Sequence, residues 1–158
     1  MKYTFAILVF IFPILIGTAC DSESLIPKVD VEDGIDETND PMKTTITITV
    51  GDKKFLAMLL DNASATSLKA MLPLTTRMTE LNGNEKYFRL SKNLPTNTSN
   101  PETIHSGDLM LWGSNTFVVF YETFSTSYDY TKLGKIDDPA GLEDALGSGN
   151  VTITIELL

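Results

Sequence analysis

From Thr44 the chain alternates without a break, with Ile46, Ile48 and Val50 in one phase and Thr45, Thr47 and Thr49 in the other. A period of two is the signature of a strand with one buried face, because successive side chains of a pleated backbone point to opposite sides. Gly51-Asp52 predicts a tight turn and residues 53–60 a returning strand, in which Phe55, Ala57 and Leu59 oppose Leu56, Met58 and Leu60. Apolar residues in both phases predict cover on both faces of that strand. The cover is expected from a short helix capped by Asn62 or Ser64, carrying Leu68, Met71 and Leu72 and stopped by Pro73, since a side-chain oxygen at the start and a proline after the end are the usual helix signals. Such a helix would plug a barrel end.

Residues 75–81 and 85–90 flank Asn82-Gly83, a pair that tolerates positive φ and is therefore a strong short-range signal of a hairpin. A polar loop follows over residues 91–102, with Pro95 and Pro101. Beyond Gly107-Asp108, residues 109–112 and 116–121 enclose Gly113-Ser114-Asn115 and form a hairpin that is apolar on both faces, hence central. Asp138-Pro139 predicts the start of a second short helix with Leu142 and Leu146 one turn apart, ended by Gly147. Residues 151–157 alternate again. The first and last strands match in length and polarity, and pairing them would close the sheet and remove its edges. The expected fold is mainly β: a small closed antiparallel barrel, with the two short helices at its ends, over residues 43–158.

The N-terminus reads differently. Lys2 precedes an apolar run over residues 5–16 and then Gly17-Thr18-Ala19-Cys20, the order of a cleaved signal: charge, apolar middle, small residues. The run is interrupted by Pro13 and falls short of the roughly 20 residues that a span requires. Cys20 is the only cysteine, so no disulfide competes for it. The segment resembles a lipobox, although Gly17 stands where leucine is usual. The resemblance implies a signal peptide over residues 1–19, lipid on Cys20, and anchoring to a membrane in the cell envelope, since several acyl chains at about 0.8 kcal/mol per buried methylene hold a protein durably. Asp21 is similar to an inner-membrane retention signal, and Asp21-Ser22-Glu23 to an acidic surface-export tag; the outer membrane or cell surface is preferred.

Charge sharpens this division. Residues 21–42 hold eight acids against one base, Lys28, while residues 43–158 hold thirteen acids and ten bases. Most of the net charge of −9 therefore belongs to a segment too poor in large apolar residues to offset chain entropy, which predicts a self-repelling flexible tether. Placing Gly34 as the turn glycine of a calcium loop puts Val29 and Val31 at ligand positions, so that reading fails. With only Arg77 and Arg89 as arginines, the domain lacks the clustered cations that a nucleic acid requires.

The segments Tyr87-Phe88-Arg89-Leu90, Ile104-His105-Ser106-Gly107-Asp108-Leu109, Phe117-Val118-Val119-Phe120-Tyr121, Tyr130-Thr131-Lys132-Leu133-Gly134-Lys135-Ile136 and Gly141-Leu142 resemble, in order and spacing, the bacterial cyclophilin-like family. The resemblance implies a closed barrel related in fold to cyclophilin prolyl isomerases. Phe88-Arg89 is loosely similar to their Phe-x-Arg strand, but the Phe-x-x-Gln-x-Gly-Asp motif is absent and the downstream tryptophan and histidine have no clear counterparts. Fold does not carry function, so the expectation is a binding module for a peptide, protein or glycan, with prolyl isomerase or folding helper as the alternative.

Arg89 is the leading site residue, because a guanidinium beside aromatics grips a carbonyl or carboxylate; a salt bridge is the plainer use. Tyr121 fits a cleft or a core, and Ser127, Tyr128 and Tyr130 lie in an aromatic, hydroxyl-rich loop that suits ligand contact, although Tyr130 also suits pinning that loop to the barrel. Trp112 is expected in the core by strand alternation, with the cleft second. His105, the only histidine, more readily shapes a turn than serves catalysis, and alone it excludes a two-histidine metal site. No cofactor motif or metal cluster is visible.

Overall fold

Ten strands and two helices follow one another over residues 44–158, the part of the chain that the computed structural model describes. Cys20 and the acidic segment lie outside the described residues. In chain order the elements are β1 (Thr44–Val50), β2 (Lys53–Leu59), α1 (Ala63–Lys69), β3 (Leu74–Leu81), β4 (Glu85–Arg89), β5 (Thr103–Ile104), β6 (Asp108–Trp112), β7 (Thr116–Phe120), β8 (Phe124–Ser125), β9 (Thr131–Ile136), α2 (Leu142–Leu146) and β10 (Val151–Leu157).

Eight strands close an antiparallel barrel in the order β1-β10-β3-β4-β7-β6-β9-β2, and β5 and β8 form a separate two-stranded sheet. The first and last strands do pair, with Ile48 opposite Ile155 and Val50 opposite Ile153. Their apolar phases face inward together, and a one-residue slip would turn every one of them outward, so burial sets the register. Asn82 and Gly83 take positive φ, 57° and 70°, and with Asn84 make the three-residue link between β3 and β4. On β9, a Cβ on Gly134 would lie 2.4 Å from the Met58 carbonyl oxygen of β2. Only glycine admits so close an approach, next to the bulge where β9 shifts register against β6.

The barrel interior is one apolar cluster to which both helices contribute: Ala65 and Leu68 from α1, Leu142 and Leu146 from α2. Each fully buried leucine is worth about 1.5–3 kcal/mol, enough to fix a short helix that would not form alone. Asn62 caps α1, its side-chain oxygen accepting the Ala65 N–H at 2.8 Å. The helix ends at Lys69, so Met71 and Leu72 sit in the following turn, partly buried against the core. α2 starts later than Asp138-Pro139 suggests: Asp138 accepts the Ala140 N–H of a preceding turn, and Gly141, in the left-handed region, opens the helix.

The expected cover on both faces of β2 is overturned. The outer face of β2 is not covered, and Leu56 and Leu60 are 47% and 48% exposed. The helix meant to cover it points Ala65 and Leu68 into the barrel instead. The outer cover lies elsewhere, over β6 and β7, where Ile104, Met110, Val118, Phe120 and Tyr130 form a second cluster with Tyr87 and Phe124 packed against it.

Candidate functional site

Alternation along β4 sends Lys86 and Phe88 inward and Glu85, Tyr87 and Arg89 outward. Pairing extends these outward positions into rows: Arg89 faces Thr116, which faces Trp112, and Tyr87 faces Val118, which faces Met110. The loop carrying β8 rises beside them as far as Tyr130, whose ring meets Phe120 edge-on at 5.5 Å. Between loop and strand runs an open groove of about 470 Å³, lined by Glu85, Tyr87, Arg89, Trp112, Tyr128 and Tyr130 together with the hydroxyls of Thr116, Ser125, Thr126 and Ser127. That volume falls in the usual range of a small-molecule or short-oligomer site.

Arg89 is exposed and Glu85 half-buried, and neither has an ion-pair partner among the described residues. Burial, and behind it the charge on Glu80, pushes the Glu85 carboxyl up to about 7. The Tyr130 phenol is also raised, by burial first and then by Glu85. Tyr128 stands 66% exposed at the rim. The groove thus offers aromatic faces for stacking, hydroxyls for hydrogen bonds, one guanidinium, and a carboxyl that titrates near neutrality.

Of the residues singled out from the sequence, Arg89, Ser127, Tyr128 and Tyr130 meet in this groove, and Tyr130 pins its loop as well, exchanging backbone hydrogen bonds of 3.0 Å with Ser99. Trp112 is not a core residue: it is 51% exposed and lines the groove. It shares the outward phase of Met110, but the two-stranded cover over Met110 stops short of it. Tyr121 does not reach the groove. Its phase is that of Phe117 and Val119, so it turns inward, and its hydroxyl donates to the Glu80 carboxylate, 2.8 and 2.9 Å from the two oxygens. His105 also lies apart, exposed in the turn before β6, where its backbone N–H donates to the Asp108 carboxylate at 2.8 Å.

Sequence reading missed Glu85 and Tyr87, although both share the strand phase of Arg89. It also missed a second polar cluster, inside one barrel mouth. Lys86 is fully buried there. Its ammonium donates to Glu80 and to the carbonyls of Gly147 and Gly149, at 2.6 and 2.8 Å, and lies 5.2 Å from the centre of the Tyr121 ring. Three protons meet three acceptors, so nothing is left for a ligand. Burial raises the Glu80 carboxyl, but the hydrogen bonds from Lys86, Tyr121 and the Gly83 N–H outweigh it and hold the group below its ordinary value.

The profile of the cyclophilin-like family matches residues 48–156. The chain belongs to the cyclophilin-like family. The match spans β2 through β9 and all but the last residue of β10, and so includes both polar clusters of the cyclophilin-like domain. Among solved structures, the chain is similar to a hypothetical protein of Archaeoglobus fulgidus studied in solution, with a TM-score of 0.52 and 14% identity over 74% of this chain and 96% of that one. At that identity the likeness concerns the fold alone. A search of curated proteins gave no match.

Proposed function

We propose that this cyclophilin-like protein is a lipid-anchored binding module of the cell envelope, whose groove outside the barrel takes an extended peptide or a glycan without transforming it. The observation that carries the reading is the convergence of Tyr87, Trp112, Tyr128 and Tyr130 on one open groove with Arg89, which has no ion-pair partner among the described residues. Stacking faces and a guanidinium supply binding, and His105, the only histidine, is not among the groove's lining residues. The anchor rests on Cys20 at the end of the lipobox-like segment. Prolyl isomerisation is the second reading, favoured by Arg89 beside Tyr87 on a barrel of this family, because a guanidinium there suits a twisting amide.

Peptide and glycan arrays probed with the purified protein test the first reading. Saturable binding that Arg89→Ala and Trp112→Ala each weaken by about tenfold is the expected result, that being the usual weight of a central arginine or tryptophan. A proline-isomerisation assay tests the second: turnover abolished by Arg89→Ala would overturn the non-catalytic reading. Palmitate incorporation in bacteria, lost in Cys20→Ser, is the result expected of the anchor.

A further inference from the structure

Glu85 and Arg89 occupy the two ends of the groove floor, four residues apart on one face of β4. At a strand rise of about 3.4 Å per residue their Cα atoms stand about 14 Å apart. Neither side chain forms an ion pair with the other or with any other described residue, so the two charges do not neutralise each other. Tyr87 lies on the floor between them, with Tyr128 and Tyr130 lining the same groove, and these aromatics shield whatever ion pairs form at either end. The groove is therefore bipolar, apolar in its middle, and as long as about four residues of extended chain.

The groups around Glu85 agree with an awaited cation. Glu80 on β3 adds a like charge, the Tyr130 phenol lies near enough to feel its field, and Asn82 and Asn84 are neutral. Lys86, next in sequence, points to the other side of β4 and is saturated there. Glu85 is thus a half-buried carboxyl whose charge is disfavoured by burial and, behind it, by Glu80, in a groove whose far end presents a guanidinium without an ion-pair partner among the described residues.

We propose that the groove binds short zwitterionic peptides of about four residues, with the α-amino group on Glu85 and the α-carboxylate on Arg89. This rests on reading the groove as a binding site and names the ligand's class and direction. An ammonium beside Glu85 favours its charged form, so binding expels a proton from a carboxyl that titrates at about 7 in the free protein. Affinity therefore rises with pH up to about 7.5, just below the α-amino pKa of about 7.7–8.0.

Calorimetry on the full-length protein with tetra-alanine, its N-acetyl form and its C-terminal amide tests the proposal, with maltotetraose as a neutral oligomer of similar length. Free tetra-alanine is expected to bind at least about tenfold more tightly than either blocked form, and about tenfold more tightly at pH 7.5 than at pH 5.5. Glu85→Gln should abolish the pH dependence and the penalty for acetylation, and Arg89→Gln the penalty for amidation. Blocked forms binding as well as the free peptide overturn the zwitterion and leave the groove reading intact, as does maltotetraose binding in place of peptide. No binding by any of the four overturns both.

Discussion

Glu85 and Lys86 are neighbours in sequence and belong to opposite regions of the molecule. Lys86 enters the barrel mouth, where its ammonium meets a carboxylate and two carbonyls, and where Glu80 also accepts from Tyr121 and from the Gly83 N–H. Glu85 and Arg89, in the other phase of the same strand, line the groove without an ion-pair partner among the described residues. A buried charge whose protons are all received holds structure together, here tying β4 to β3 and to the segment after α2. A charge left open beside aromatic faces holds its interaction in reserve for a ligand. Substitutions in the mouth should therefore change stability, and substitutions in the groove should change binding.

The largest effect is expected from Lys86→Met. It leaves two glycine carbonyls without their donor and Glu80 without its cation, and breaking such a buried pair costs about 3–5 kcal/mol, read from the urea midpoint. Replacing Glu80 by Gln in the same chain should recover part of the loss, because the orphaned charge goes too. A loss under about 1 kcal/mol would break the contrast between the regions. The mouth also has a pH signature. Because the Glu80 carboxyl is held below its ordinary value in the fold, its contribution is full above the unfolded pKa of about 4.3 and disappears as pH falls through the lowered folded value. Tyr121→Phe should cost less, about 1.5–3 kcal/mol, the usual weight of a hydrogen bond to a charged group, and should leave groove binding unchanged.

Why some of this was legible in the sequence and some was not follows from the length and phase of the elements. β1 and β10 alternate over seven residues each, and their matched patterns disclosed barrel closure. β9 was visible only as part of a family motif, because Lys132, Gly134 and Lys135 interrupt its apolar phase and the register shift breaks the period of two. The sheet of β5 and β8 has two residues in each strand, too few to show any period, yet it decides which outward residues are buried. Met110 and Trp112 share one phase, and only that cover separates a buried residue from a groove residue. Lys86 was the clearest signal passed over: a lysine in phase with Phe88 and Leu90 announces a buried charge.

Glu85→Gln sharpens the comparison from the groove side. A carboxyl raised to about 7 in the fold, against about 4.3 unfolded, keeps a proton that the unfolded chain releases, so it lowers stability as pH rises from about 4 through 7. Removing the charge should raise stability at pH 8 and change little at pH 4. Discounted for solvent screening, the gain is about 1 kcal/mol, read from thermal melts at the two pH values. Equal effects at both would show that Glu85 is not held protonated by its surroundings.

Trp112→Ala carries the smallest expected change in stability, within about 0.5 kcal/mol, because a side chain already 51% exposed surrenders little packing. Its value lies in what else it reports. As the only tryptophan of the chain, Trp112 is a probe built into one end of the groove, two strands from Arg89. In the free protein its emission should be that of a largely hydrated indole. A ligand seated along β4 strips water from the ring, so the emission should shift to the blue in step with saturation. Tyr121→Phe, which alters only the mouth, should leave both the starting emission and the shift as they were. A shift of the same size in Arg89→Ala, at unchanged affinity, would mean that the ligand covers Trp112 without using the guanidinium, and the groove would then be read through its aromatic faces alone.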